Sequence, residues 1–232
     1  MTTSASGLLA VRRDALGLGI YALAFGASFG TVSVASGLDL LQTAVLSLVM
    51  FSGASQFALV GVVASGGSAL AAVGAALLLG ARNAFYGVRL ATLLPRQDVR
   101  APRSLVTGQL VIDETTAMAV GRGDAHEQRY AFWFTGAVLF VLWNVGTLGG
   151  ALFGRAVGDP TTLGLDAAAP AAFLALLWPR LADRTCRLVA AAAAVTALAL
   201  VPVAPAGVPV LAACAVPVLA ALQGSRRGEA TT

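Results

Sequence analysis

The chain has no lysine, one histidine (His126) and two cysteines (Cys186 and Cys214) in 232 residues. Only 11% of its residues are charged, and 58% are hydrophobic. A soluble domain carries about 25% charged residues, so the shortage excludes an ordinary soluble enzyme and a disordered chain. The cysteines lie at or within apolar segments without CxxC spacing, which argues against a disulfide framework or a zinc site. No metal-ligand spacing, phosphate-cradling glycine loop or catalytic triad can be read along the chain. No enzyme activity, cofactor or metal is therefore expected. The net charge of +4 is not a nucleic-acid signal. Every basic residue is Arg, placed singly or in pairs at the ends of apolar runs, as membrane topology dictates.

What the chain does have is apolar length. At about 20 apolar residues per span, it is expected to be an all-α, polytopic transmembrane bundle of seven to eight spans, with broken or re-entrant helices an option in the middle. The reading gives a cytoplasmic N-terminal tail over 1–14, one transmembrane domain over 15–223 and a cytoplasmic C-terminal tail over 224–232. The first residues lack the order of a signal peptide, so the first run is kept as a span.

Charge-free intervals place the spans. Asp14 to Asp39 gives Leu16–Ser36. Asp39 to Arg82 is too long for one helix and suits two, broken at Ser65-Gly66-Gly67-Ser68. Ser104–Gly121 is apolar except for Gln109, Asp113 and Glu114. Tyr130–Gly154 is one clear span. Ala167–Pro179 is a short one, or needs Gly164 and Leu165. Leu188–Ser225 splits at the Pro/Gly cluster 202–209 into a helical hairpin. His126, Asp159 and Asp166 are read as loop residues. With eight crossings, Arg12/Arg13, Arg122/Arg129, Arg180/Arg184/Arg187 and Arg226/Arg227 share one side, the cytoplasm. One loop disagrees: Pro95–Arg103, with Arg96, Arg100 and Arg103, falls outside unless the third or fourth segment is re-entrant. Gly26 and Gly30 form a GxxxG stripe continued by Ser33 and Gly37; Gly146, Gly150 and Gly154 form another. Ordinary close packing of helices is the simpler reading of both.

Polar groups at membrane depth are costly and point to a cavity or a partner. In Phe51-Ser52-Gly53-Ala54-Ser55-Gln56-Phe57, small residues and an amide interrupt an apolar run. An unwound turn there would line a substrate site; a polar contact through Gln56 between helices is the alternative. Arg82, Tyr86 and Arg89 share a helix face beside Asn83. Arg89 can snorkel to the interface, whereas Arg82 is deeper and needs a carboxylate, carbonyls or an anion. Asp113 and Glu114 point about 100° apart on a helix. Either acid could neutralise Arg82, or titrate and couple proton movement to transport. Asn144, beside Trp143, is a fourth candidate.

Taken together, FSGASQF at Phe51–Phe57, the Arg82…Tyr86-Gly87 segment, IDETTAM around Asp113-Glu114 and LGLDAAAPAAFLALLWP at Leu163–Pro179 resemble the AzlC-type permease family, the large subunit of branched-chain amino acid exporters. The resemblance runs from about Ala15 to Leu222. It departs from the family's N-x-R-H-x-x-Y pattern: Gly80 stands in the Asn position and Asn83 in the His position. The resemblance implies export of Leu, Ile, Val or similar amino acids, driven by an ion gradient, with a small hydrophobic AzlD-type membrane subunit. It implies a bacterial cytoplasmic membrane and no nucleic-acid partner. A zwitterion with an apolar side chain needs a carboxylate binder, an amine acceptor and an apolar pocket. Candidate substrate-binding residues are Ser52, Gly53, Ser55, Gln56, Arg82, Asn83, Tyr86 and Asn144. Asp113 and Glu114 are candidates for proton coupling or an ion pair, and Phe51, Phe57 and Phe85 for the apolar wall. The rival reading is a membrane scaffold or regulatory subunit in which the buried charges only lock helices.

Overall fold

The computed structural model describes residues 5–100, 102–157, 174, 177–205 and 208–229. Its helices are α1 (Ala5–Ala35), α2 (Leu40–Val49), α3 (Gly53–Ala64), α4 (Ala69–Gly80), α5 (Arg82–Ala91), α6 (Arg103–Gln109), α7 (Asp113–Val120), α8 (Ala125–Val157), α9 (Arg184–Leu200) and α10 (Val208–Glu229), with a 3-10 turn at Trp178–Ala182. No strand occurs among the described residues. Among the described residues, three stretches are long and apolar enough to cross a membrane: Ser6–Ala35, Ala69–Ala91 and Ala125–Val157.

The two glycine stripes face each other and set the frame. Gly146 abuts Leu23, Gly150 abuts Ala27 and Gly154 abuts Thr31. Both numbers rise together, so α1 and α8 run parallel. A Cβ at Gly26 would sit 2.5 Å from the Trp143 carbonyl oxygen, so only glycine lets the backbones meet this closely. The Thr31 hydroxyl donates across the seam to the Gly150 carbonyl at 3.0 Å. At the N-terminal ends, Arg12 Nε donates to the Tyr130 hydroxyl (2.6 Å) and Arg122 pairs with Asp14 (3.1 Å). This is the arginine-rich end of the molecule.

Leu40–Ala64 is not one span but a hairpin entering from the opposite end. Asp39 and Gln42 cap α2 reciprocally, side chain to amide, at 2.7 and 2.9 Å. Down α2, Thr43 meets Ser33 (2.8 Å), Ser47 meets Asn144 (2.8 Å), and Phe51 stacks edge-on with Phe140 at 5.1 Å. The helix then stops, and α3 turns back. Gly53 lies against Trp143, while Phe57 packs on Phe25 and Phe29, higher on the α1 frame. Gln56 Nε2 donates to the Met50 and Leu46 carbonyls (2.5 and 3.2 Å), binding α3 to α2. The turn expected at Ser65–Ser68 is present. Gly66 adopts φ +75° there, and the Ser68 hydroxyl accepts the Ala71 amide at 3.2 Å.

Helices α4 and α5 then cross to the arginine-rich end with a one-residue interruption at Ala81. At their foot, Asp98 is fully buried. It accepts both Nε and Nη2 of Arg129 (2.5 and 3.1 Å) and the Trp133 indole (3.3 Å), with Arg103 at 3.6 Å. The loop Pro95–Arg103 therefore shares its end with Arg122 and Arg129, and its three arginines no longer oppose the charge rule. The consequence is that Ser104–Gly121 cannot be a crossing. Helix α6 starts at this end, Leu110 reaches Gly136 of α8, and α7 returns to Arg122. With 7 and 8 residues, α6 and α7 are about 10 and 12 Å long, against a hydrocarbon core of about 30 Å.

The expected C-terminal hairpin is present as α9 and α10, turning at 201–205. Leu211 of α10 packs against the cluster that Ala58 and Val62 of α3 form with Ala72 and Ala75 of α4. Helix α1 begins at Ala5 and α10 runs to Glu229, inside the stretches read as tails. His126 lies in the first turn of α8 rather than in a loop. Asp159, Asp166 and most of Ala167–Pro179 lie outside the described residues.

Candidate functional site

The hairpins meet tip to tip. Gln109 Nε2, at the tip of the α6–α7 hairpin, donates to the Leu48 and Val49 carbonyls at the end of α2 (2.8 and 3.1 Å). Both breaks expose helix starts at this depth. Ser52 precedes α3 in an extended conformation (φ −152°, ψ 98°), and no side chain among the described residues caps the helix. Its hydroxyl pairs with that of Ser55 at 3.2 Å instead, so the first-turn amides of α3 keep the unpaired donors of a helix start. Before α7, Ile112 is likewise extended. Thr115 accepts the Ile112 amide (3.1 Å) and donates to the Leu110 carbonyl (2.6 Å), and Thr116 donates to the Ile112 carbonyl (2.7 Å). Such side-chain bonds are how a broken helix is tolerated at membrane depth.

A cavity of about 440 Å³ opens where these helix starts converge. Its polar side is Ser52, Gly53, Arg82, Tyr86, Asp113 and Glu114; its apolar side is Ala22, Phe25, Phe51, Leu79, Leu139 and Trp143, with Tyr21 and Leu177 also on the wall. Arg82 Nη1 meets Asp113 Oδ2 at 3.0 Å, with the side chains 39% and 35% exposed. The pair is thus open to the cavity rather than sealed in a helix contact. Arg82 Nε is buried and without a partner among the described residues. No ion pair involves Glu114 among those residues. Both acids sit in the first turn of α7, where a helix start favours negative charge.

Six of the expected residues therefore come together: Ser52, Gly53, Arg82, Tyr86, Asp113 and Glu114. Ser55 and Asn83 do not join them; with Ser52 they line a second cavity behind the tips. Gln56 is consumed inside the α2–α3 hairpin. Asn144 donates to the Phe140 carbonyl (2.8 Å) and accepts from Ser47, which holds α2 on α8. Of the three phenylalanines proposed for the wall, Phe51 is there, Phe57 is buried in the aromatic core, and Phe85 is 77% exposed on α5. The wall residues that the sequence reading missed come from the frame: Tyr21, Ala22 and Phe25 of α1, and Leu139 and Trp143 of α8. Their one signal was spacing, since Tyr21 and Phe25 are one turn apart and stack at 5.3 Å.

Helix starts aimed at a charged, half-apolar cavity, inside membrane-length helices, define a polytopic membrane protein of the transporter type. More specifically, the chain belongs to the AzlC family: the family described as AzlC protein matches residues 17–157. That stretch opens in α1, closes with α8 and contains both hairpins and every charged residue of the cavity. No curated protein and no solved structure matches the chain.

Proposed function

We propose that the protein is a permease that exports branched-chain or other apolar amino acids across the bacterial cytoplasmic membrane, coupled to an ion gradient and working with a small AzlD-type membrane subunit. The observation that carries this reading is the cavity itself. It offers two kinds of charge and an aromatic wall within about 440 Å³, which suits a zwitterion with an apolar side chain. In this reading the substrate carboxylate docks on the open amides of α3 and on Arg82. Glu114, without an ion pair among the described residues, takes the ammonium or the coupling proton. Phe25, Leu139 and Trp143 face the side chain. Ser55, Gln56, Asn83 and Asn144 support the tips rather than touch the substrate.

The same reading sets the topology. Among the described residues, Ser6–Ala35, Ala69–Ala91, Ala125–Val157, α9 and α10 cross the membrane, and the two hairpins enter it from opposite sides. The arginine-rich end and both termini are cytoplasmic. The test is efflux of preloaded radiolabelled leucine from cells lacking their own exporters, with and without the small subunit, across pH. Efflux that Glu114→Gln and Arg82→Ala abolish, in protein that still reaches the membrane, is the expected result. Full efflux in both variants overturns the assignment of the cavity. Recovery by exchanging the charges of Arg82 and Asp113, without pH dependence, would favour the scaffold reading.

A further inference from the structure

The tips separate two cavities with different linings. The first receives the starts of α3 and α7 and the side chain of Arg82. The second, about 320 Å³, lies where α2 ends at Met50, where α6 ends at Gly108 and Gln109, and beside the one-residue interruption between α4 and α5 at Gly80 and Ala81. Among the described residues, four oxygen-bearing side chains (Ser52, Ser55, Asn83 and Gln109) and no charged one line the second cavity, and the rest of its wall is apolar or glycine. Ser52 and Ser55 are 8% and 2% exposed. Asn83 Oδ1 is buried and without a partner among the described residues. Gln109 spends its amide hydrogens on the α2 carbonyls, which leaves its oxygen as an acceptor. A buried oxygen with nothing to accept from is costly unless something fills the space.

We propose that this second cavity is a binding site for a monovalent alkali cation, held by the side-chain oxygens of Ser52, Ser55, Asn83 and Gln109. Neutral oxygens suit a monovalent ion, because calcium and magnesium sites recruit carboxylates. Arg82, in sequence between the lining residues Ala81 and Asn83, is matched by Asp113 in the first cavity. Phe51 and Ser52 belong to both cavities, so an ion on one side of the tip braces the α3 helix start on the other. The inference rests on the transport reading only in making this ion the coupling ion; the binding site itself is independent of it.

Thermal unfolding of the purified full chain in nanodiscs tests the site, with NaCl exchanged for KCl or choline chloride at constant ionic strength. A saturable rise in the midpoint with Na+ or K+ over choline is expected. It should vanish in Ser55→Ala and Asn83→Ala, and saturate at about tenfold lower ion concentration in Asn83→Asp, which adds an ionic ligand. No difference among the three salts means that the cavity holds water only and overturns the site. So does a full ion response in Ser55→Ala, which removes one hydroxyl and no bulk, even if the Asn83 variants fail to fold. An ion response without leucine efflux would leave the site standing and sink the transport reading. Efflux without an ion response would do the reverse.

Discussion

The two hairpins reach the same depth by different physics. In the α2–α3 hairpin, Ser55, Gln56, Phe57, Ala58, Val60 and Val62 are all buried on α3 alone. In the α6–α7 hairpin, α6 buries only Thr107. The first is held by packing against α1, α4 and α8, with Phe57 edge-on to Phe25 and Phe29 at 5.5 and 5.4 Å. The second is exposed along α6, which is tied at its foot by Asp98 and at its tip by Gln109, and it packs through Leu110, Val111 and Ile112 at the tip and Thr115, Thr116 and Ala119 of α7. A helix packed along its length, as α3 is, resists motion throughout, whereas α6 depends on the bonds at its two ends. The hairpin whose outer helix depends on end contacts also carries Asp113 and Glu114.

Phe57→Ala should break the packed side of this comparison hardest. Truncating a buried phenylalanine costs about 3–5 kcal/mol, read as a lower unfolding midpoint in detergent; a loss under about 1 kcal/mol would mean that packing does not hold α2–α3. Asp98→Ala comes next. It strands Arg129 and Arg103, and removing one partner of a buried pair costs about 3–5 kcal/mol. Arg129 is 39% exposed, which lowers the expectation to roughly 2–3 kcal/mol. Amide exchange should quicken over 103–120 and stay unchanged over 40–64; equal changes in both would dissolve the distinction.

Acid should separate the two in the same way. The Arg129 hydrogen bond, outweighing burial and helped by Trp133 and Arg103, holds the Asp98 carboxyl below its ordinary value of 3.8. Its contribution is therefore complete above that value and is lost as pH falls through the lower folded one. Exchange over 103–120 should rise in that acid window in the native chain, and Asp98→Asn should remove the dependence. The smallest effect belongs to Gln109→Ala, about 1 kcal/mol for the lost tip contacts. It should loosen exchange at 110–112 without shifting the α2–α3 signals; silence at both would show that the tips are not joined through this residue.

Local chemistry was readable from the residues; direction was not. The turns at Ser65–Ser68 and 201–205 were legible because Gly, Ser and Pro mark turns by their own backbone preferences. The opposed glycine stripes were legible as close packing. The charged half of the cavity was legible because Arg82, Asp113 and Glu114 have no cheap place in a membrane. The hairpins were not, since hydropathy counts apolar residues and is blind to a chain that turns back. Leu40–Ala64 is long enough to cross, and the conflict at Arg96, Arg100 and Arg103 was the one trace of the second hairpin. The aromatic wall was missed because Phe25 and Trp143 look like any core residues until a neighbouring helix stops short of them.

The parallel glycine seam also has a consequence for biosynthesis. The residues that meet across it are separated by about 120 positions, so at roughly 5–20 residues per second the α1 surface waits about 6–25 s for its mate. Both hairpins and the α4–α5 crossing emerge in that interval. The seam therefore closes around elements already inserted, before α9 and α10 follow. A bulky replacement at Gly150 should let the nascent chain integrate normally and then leave a fully inserted, unclosed product for membrane proteases. The defect would show in the lifetime of the finished chain rather than in its targeting.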